Sequence, residues 1–506
     1  MVPSALKPIT LDRVDITGGF WYQKQQINYE FSIPSILEQL KKTGRIDCFD
    51  PEYKGYRHIF YDSDTAKWLE AACYALKKRE HPSMNKEVEE IIEMIIKAQQ
   101  PDGYLNSYYT YEEPENRWKN LRDRHELYCA GHLMEAAVAH YELTGKKKFL
   151  DTLSKYANYI DSIFGKSEGK IPGYPGHEEI ELALIRLYGA TKNKKYKDLA
   201  RYFVEERGNL ETGYYFVKEA IARGENPGDL FTIMEKMKYW QSHAPIREQK
   251  EAVGHAVRAG YLYSGVADIA NQFEDEPLLN TCIQLWEDIY YRKMYITGGV
   301  GARYAGEAFG DPYELDNLKA YAETCAALAF AFFSQRMLQI TGESKYADAV
   351  ERLMYNGSIS GVSLDGKKFF YINPLAYKKG YRPSNLRCQN QRPDWFGCSC
   401  CPPNIARFLA SIGTYFYSES NGGKPCINIH QYSESTAMLF INKIRVGVTQ
   451  QTNYPWNGLV NIQINPNTST EFGINLRIPA WCNDFSVNVN GEVIGVPIES
   501  GYLSIN

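Results

Sequence analysis

RMLQITGESKYADAVERLMYN, residues 336–356, holds the end of one helix, a polar turn at Gly342 and the start of a second amphipathic helix. Met337, Leu338 and Ile340 before the turn, and Tyr346, Ala349, Val350 and Leu353 after it, follow the three- and four-residue spacing of a helix with one apolar face. The same pattern returns at HYELTGKKKFLDTLSKYANYI (140–160), RLYGATKNKKYKDLARYFVEE (186–206) and VADIANQFEDEPLLNTCIQLWEDIY (266–290). Recurring helical hairpins build either a solenoid or a closed double ring. Between them lie long loops rich in glycine, proline and aromatic residues, at 99–118, 171–177, 296–317 and 383–403. Such loops at regular intervals place function at one end of the hairpin assembly. The pattern predicts a mainly α chain whose residues 6–417 form an (α/α)6 barrel with alternate loops around one mouth.

After residue 418 the periodicity changes to short alternating runs such as TAMLFIN (436–442), IRVGVTQQT (444–452) and FSVNVNGEVI (485–494). This predicts a C-terminal antiparallel β part of the sandwich type over 418–506, with a hairpin at Asn490-Gly491. Residues 1–5 are expected to join it, and GYLSIN (501–506) reads as the middle of a strand.

The bulk numbers exclude several classes. In 506 residues the charge is -4, with a pI near 6.2, so there is no basic field for nucleic acid, and no stretch reads as a membrane span. The first twenty residues lack the basic and apolar regions of a signal peptide, so a cytoplasmic location is expected. The charge balance points to a small or neutral partner, and a homodimer is compatible with the sequence. Eleven cysteines are scattered rather than paired in a dense framework. Cys73 and Cys282, inside apolar helical patterns, read as buried small hydrophobes.

Three cysteines, however, crowd into WFGCSCCPPN (395–404). Adjacent cysteines are poorly placed to bridge each other, but both can face one soft metal ion. Pro402 and Pro403 suit the first turn of the helix that follows, and thiols at a helix N-terminus ionise more easily. Zinc takes four ligands, so Cys400 and Cys401 need partners. Glu323 and Cys325 of ETC (323–325), at the head of a strongly apolar helix, supply them if Glu323 lies at or before the first turn. Ordinary buried thiols are the competing reading. GGVGARYAGEAFG (298–310) fits no nucleotide loop, and Glu307 within it reads by itself as a solvated loop carboxylate. His125 and His132 are about 10.5 Å apart along a helix, too far to share a metal.

HELYCAGH (125–132), GHEEIELAL (176–184), GEAFG (306–310), ETC (323–325) and CCPPN (400–404) together resemble glycoside hydrolase family 127, the β-L-arabinofuranosidases. The resemblance covers the helical part and the start of the β part. It implies an (α/α)6 barrel followed by β-sandwich domains, and a retaining exo-glycosidase that releases L-arabinose from terminal β-L-arabinofuranosides of small oligosaccharides or glycoconjugates. It further implies Zn2+ held by Glu323, Cys325, Cys400 and Cys401, with Cys400 as nucleophile and Glu307 as acid/base. His125, His177, His255 and Tyr371 are implied sugar contacts, with one of Gln23, Gln25 or Gln26. Cys398 is implied to stand outside the metal set, and His81, His132 and His140 read as structural. Two other readings remain open: a helical-barrel glycosidase or lyase with no metal-bound thiol, whose anionic substrates would need a basic cleft where the site loops offer only scattered arginines such as Arg303 and Arg392, and a non-catalytic carbohydrate-binding protein with a structural zinc.

Overall fold

The computed structural model describes residues 6–210, 214–381, 391–420, 424–495 and 498–505. Residues 1–5, expected in the β part, and Cys388 lie outside the described residues.

Twelve helices form two concentric rings. They are α1 (Ile33–Lys42), α2 (Tyr61–Lys78), α3 (Pro82–Ala98), α4 (Glu126–Thr144), α5 (Lys148–Ile163) and α6 (Ile180–Thr191), then α7 (Lys194–Glu206), α8 (Ala256–Gln272), α9 (Glu276–Asp288), α10 (Thr324–Thr341), α11 (Ser344–Arg352) and α12 (Cys401–Ser411). The even-numbered helices close the inner ring, each packing on the next and α12 returning to α2; each odd-numbered helix packs outside an inner neighbour. This is the predicted (α/α)6 barrel.

Burial separates the rings as the sequence does. Inner helices are buried nearly all round: in α4 every residue from Glu126 to His140 is buried. Outer helices bury one stripe, as in α5 through Phe149, Leu153, Tyr156 and Ile160. Outer helices α3, α7 and α9 start on side-chain caps from His81, Asn193 and Asp275. Among the described residues only α8 of the inner helices is capped by a side chain, His255; the other five begin without one there and turn the positive ends of their dipoles toward a shared mouth. Gly342, the turn residue between α10 and α11, has φ 74°, the left-handed geometry that closes a helix.

The β strands are β1 (Lys7–Pro8), β2 (Val14–Ile16), β3 (Tyr417–Ser420), β4 (Cys426–Ile429), β5 (Ser435–Ile441), β6 (Ile444–Thr452), β7 (Val460–Pro466), β8 (Gly473–Arg477), β9 (Val487–Val489), β10 (Glu492–Ile494), β11 (Ile498–Glu499) and β12 (Tyr502–Ile505). One sheet has the order β1-β3-β4-β8-β12-β11, a second β2-β5-β6-β7, and β9 and β10 form a separate hairpin. All pairs are antiparallel except β4 with β8. The Tyr417 hydroxyl meets Ser435 Oγ at 2.7 Å and accepts from Gln450 Nε2 at 2.6 Å, tying the two sheets together. Asn490 and Gly491, both at positive φ, make the expected turn between β9 and β10. Residues 7–16 read from sequence as the head of the helical part; their strands β1 and β2 instead edge the two sheets. Among the described residues no helix is long and apolar enough to cross a membrane.

Candidate active site

The helix starts place the chemistry. His125, His255, Glu323 and Cys400 are the N-cap residues of α4, α8, α10 and α12, and His177 stands just ahead of α6. Distant segments therefore converge because six inner helices begin around one opening. The cavity there has a volume of about 210 Å³, the scale of a single sugar ring. His125, His177, His255, Glu307, Glu323, Cys325, Tyr371, Cys398 and Cys400 are all among its lining residues.

On one wall Glu323, Cys325, Cys400 and Cys401 bring one ligand atom each to within 4.8 Å of the others. Cys325 Sγ lies 3.3 Å from Cys401 Sγ, and Cys400 Sγ lies 3.8 Å from Cys401 Sγ and 3.6 Å from Glu323 Oε1. Placing Glu323 ahead of α10 lets its side chain and that of Cys325 share this spot despite their two-residue spacing. Cys400 is the one member that is not fully buried, so its sulfur reaches both the cluster and the cavity. Burial, then the negative charge of Cys400 and Glu307, pushes the Glu323 carboxyl well above the usual carboxylate range. Burial opposes ionisation of Cys325, yet hydrogen bonds from Cys400 and Cys401 outweigh it and bring that thiol down to about 6. Glu323 Oε2 is buried with no hydrogen-bond partner among the described residues. Three sulfurs and one buried carboxylate, that of Glu323, are a donor set that fits a soft divalent cation such as zinc.

Glu307 lies beside this cluster at the tip of a tight turn in which Arg303 and Ala308 pair. Gly306 has φ 70° and Glu307 itself φ 52°, a region that non-glycine residues seldom occupy. The strain is held by a bridge from Ala308 to His255 and by the Phe309 amide donating to the Gly254 carbonyl at 2.9 Å. The carboxylate oxygen Oε2 accepts from the Tyr371 hydroxyl at 3.1 Å and lies 3.4 Å from His255 Nε2. His255 Nδ1 accepts from the Val257 amide at 3.2 Å, which leaves Nε2 for Glu307. Tyr371 is carried in by a bridge between Ile372 and Glu323. Burial, followed by the charges of Cys398 and Cys400, keeps its phenol protonated.

The His125 and His177 rings lie 5.5 Å apart between centroids, and Tyr128 packs tilted against His177 at 4.1 Å. Burial first, then the charge of Arg258, pushes both imidazoles well below their ordinary range, so they act as neutral hydrogen-bonding rings. Phe60, Tyr128, Tyr239, Arg258 and Tyr261 also line the cavity. Tyr128 and Arg258 each follow a site histidine by three residues, one helical turn, a spacing that marks them in the sequence.

The glutamines expected near the sugar are elsewhere. Gln25 donates to the Leu409 carbonyl at 3.0 Å, Gln26 accepts from Arg79 at 2.9 Å, and Gln23 is exposed. Their helix, Gly19–Ile27, lies behind α12 rather than at its N-terminus, so none lines the cavity. His132 lies 2.9 Å from Glu179 with both buried, His140 lies 3.2 Å from Glu89, and His81 caps α3. Arg303 pairs with Asp311 and Glu314, and Arg392 donates to the Ser360 carbonyl; neither lines the cavity.

A barrel of paired helices with a cavity for one sugar, lined by carboxylate, thiol and imidazole groups, has the build of a glycoside hydrolase. The pattern of the GH127 β-L-arabinofuranosidase catalytic domain matches residues 13–414, and that of the GH127 middle domain matches 426–506. The chain belongs to the GH127 family of β-L-arabinofuranosidases, and it is a glycoside hydrolase. It is 38% identical over 471 residues to a non-reducing end β-L-arabinofuranosidase of Bifidobacterium longum subsp. longum, covering 90% of this chain and 70% of the relative. A crystal structure of a GH127 β-L-arabinofuranosidase from Geobacillus stearothermophilus T6 superposes with a TM-score of 0.93 at 46% identity, over 97% of this chain and 79% of the other. Another GH127 β-arabinofuranosidase of known structure gives 0.88 at 36% identity, over 99% and 78%.

Proposed function

We propose that the protein hydrolyses terminal, non-reducing β-L-arabinofuranosides with retention, with Cys400 as nucleophile and Glu307 as acid/base. The observation that carries this reading is the position of Cys400: it is the one partly exposed sulfur of a four-ligand cluster, and it lines a sugar-sized cavity beside a strained, hydrogen-bonded glutamate. The relatives in Bifidobacterium and Geobacillus, both β-L-arabinofuranosidases, supply the substrate class.

In a retaining glycosidase one group attacks the anomeric carbon while another passes a proton to the leaving oxygen. Here the Cys400 sulfur forms the bond to C1 as the C1–O bond breaks, and Glu307 gives its proton to the departing oxygen. Glu307 then takes a proton from water, the water oxygen bonds to C1, and the S–C1 bond breaks to return Cys400 as thiolate. Tyr371 and His255 hold Glu307 through the oxygen Oε2 and orient it for both transfers. His125 and His177, neutral and buried, meet sugar hydroxyls as donors or acceptors without adding charge. Glu323, Cys325, Cys400 and Cys401 would hold the zinc ion, which when bound stabilises a sulfur anion and so makes a thiolate an acceptable leaving group.

The test is turnover of an aryl β-L-arabinofuranoside by the wild type, Cys400→Ser and Glu307→Gln. Each variant is expected to lose roughly 10²- to 10⁴-fold in kcat/KM, while zinc content drops in Cys400→Ser alone. Full activity in either variant contradicts the assigned roles.

A further inference from the structure

Five inner helices bring a group into the reading above: His125 on α4, His177 ahead of α6, His255 on α8, Glu323 and Cys325 on α10, and Cys400 on α12. The sixth, α2, has none assigned. Its first turn carries Asp64, which lines the same cavity together with Phe60, Ser63 and His125. The residue is 1% exposed.

The carboxylate is fixed at one oxygen and free at the other. Oδ2 accepts from Arg45 Nε at 2.8 Å, while Oδ1 is buried without a hydrogen-bond partner among the described residues. Arg45 is itself immobilised: its Nη2 donates to the Gly397 carbonyl at 2.6 Å, and its guanidinium lies over the rings of Tyr61 at 4.2 Å and Trp395 at 5.4 Å. A buried carboxylate oxygen left unpaired is unfavourable unless something that enters the cavity satisfies it. The ligand of a cavity this size is a neutral sugar ring, and hydroxyl donors are what it offers.

We infer that Asp64 is a substrate-binding residue whose Oδ1 accepts a hydrogen bond from one hydroxyl of the terminal sugar, on the side of the cavity between the helices of Cys400 and His125. The inference rests on the glycosidase reading above and extends it to specificity. A site built to pair with a particular hydroxyl strongly rejects the analogue that lacks it, because the acceptor is then left buried and unpaired. The competing role is purely architectural: Asp64 holds Arg45, and Arg45 holds the loop at Gly397, just before the cysteines.

Kinetics of wild type and Asp64→Asn on an aryl β-L-arabinofuranoside and its 2-, 3- and 5-deoxy forms separate the two. Asparagine keeps an oxygen for Arg45 and removes the charge, and the melting temperature and zinc content of the variant report on folding. Expected is a loss of at least tenfold in kcat/KM on the parent sugar, carried chiefly by KM. One deoxy sugar, disfavoured at least tenfold by the wild type, becomes nearly equivalent to the parent in the variant. A kcat/KM within twofold of wild type, or an equal loss on the parent and all three deoxy sugars, overturns the assignment and leaves the architectural role. Should the wild type turn over none of these arabinofuranosides, it is the glycosidase reading that fails. Titration of L-arabinose into wild type and Asp64→Asn then tests Asp64 without turnover: weaker binding by the variant supports it and equal binding overturns it.

Discussion

Glu307 shows how much a single residue's backbone can fix. It occupies φ 52° next to Gly306 at φ 70°, and a Cβ added at Gly306 would stand 3.2 Å from the Tyr239 ring. Gly306→Ala therefore carries a left-handed penalty of about 1–2 kcal/mol and pushes the turn away from Tyr239. Displacement of a proton-transfer group by about 1 Å can cost on the order of 10²-fold, so kcat is expected to fall at least tenfold while zinc content is unchanged. Unchanged kcat would show that the turn geometry does not set the position of Glu307. At this scale the sequence was partly legible. His125, His177, His255, Glu307, Glu323, Cys325, Cys400 and Cys401 stand in motifs that a resemblance exposes, and they meet in space. Asp64 carries no such mark, because a polar residue in the first turn of a buried helix gives no sign of whether it faces a cavity or a buried partner; Tyr128 and Arg258 are marked only by their three-residue spacing from a histidine. Gln23, Gln25 and Gln26 do not line the cavity, and nothing local in their sequence records which end of α12 their helix covers.

At the scale of elements, the helices were legible because each hairpin repeats a strong local period, and the turn glycine and outer-helix caps punctuate it. Strands β1 and β2 were not. They are two and three residues long, and their partners β3 and β5 lie some four hundred residues away, so no local period records the pairing. The β part offers its own test. His430 is fully buried between Ser418 Oγ at 2.7 Å and the Tyr502 hydroxyl at 2.6 Å, and burial, then the charge of Arg477, pushes its imidazole down to about 3. The folded state thus holds the neutral ring more firmly than the unfolded chain, whose histidine titrates near 6.5. Stability from this group is complete above pH 6.5 and is lost as pH falls from there toward about 3. The melting temperature of the wild type should decline over that window more steeply than that of His430→Asn. Parallel declines would remove His430 from the acid sensitivity.

For the molecule as a whole, the β part is tied to the barrel by buried charge rather than by a linker alone. Arg477 of β8, with no exposed surface, pairs with Asp348 at 2.5 Å and with Glu351, both on α11, while Tyr454 and Trp481 donate to Glu351 at 2.9 and 2.8 Å. This contact lies at the outer ring, and the cavity is built by the inner ring, so the same scaffold that anchors the sheets leaves the mouth to the helix starts. The central claim is that the sugar is carried on sulfur at the head of α12. Intact-mass analysis and peptide mapping after incubation with an arabinofuranose-configured epoxide or haloacetamide test it most directly. One adduct per chain on Cys400, formed as activity is lost and blocked by L-arabinose, is the predicted result; inactivation with the label on a carboxylate such as Glu307 or Glu323, and Cys400 unmodified, would contradict it.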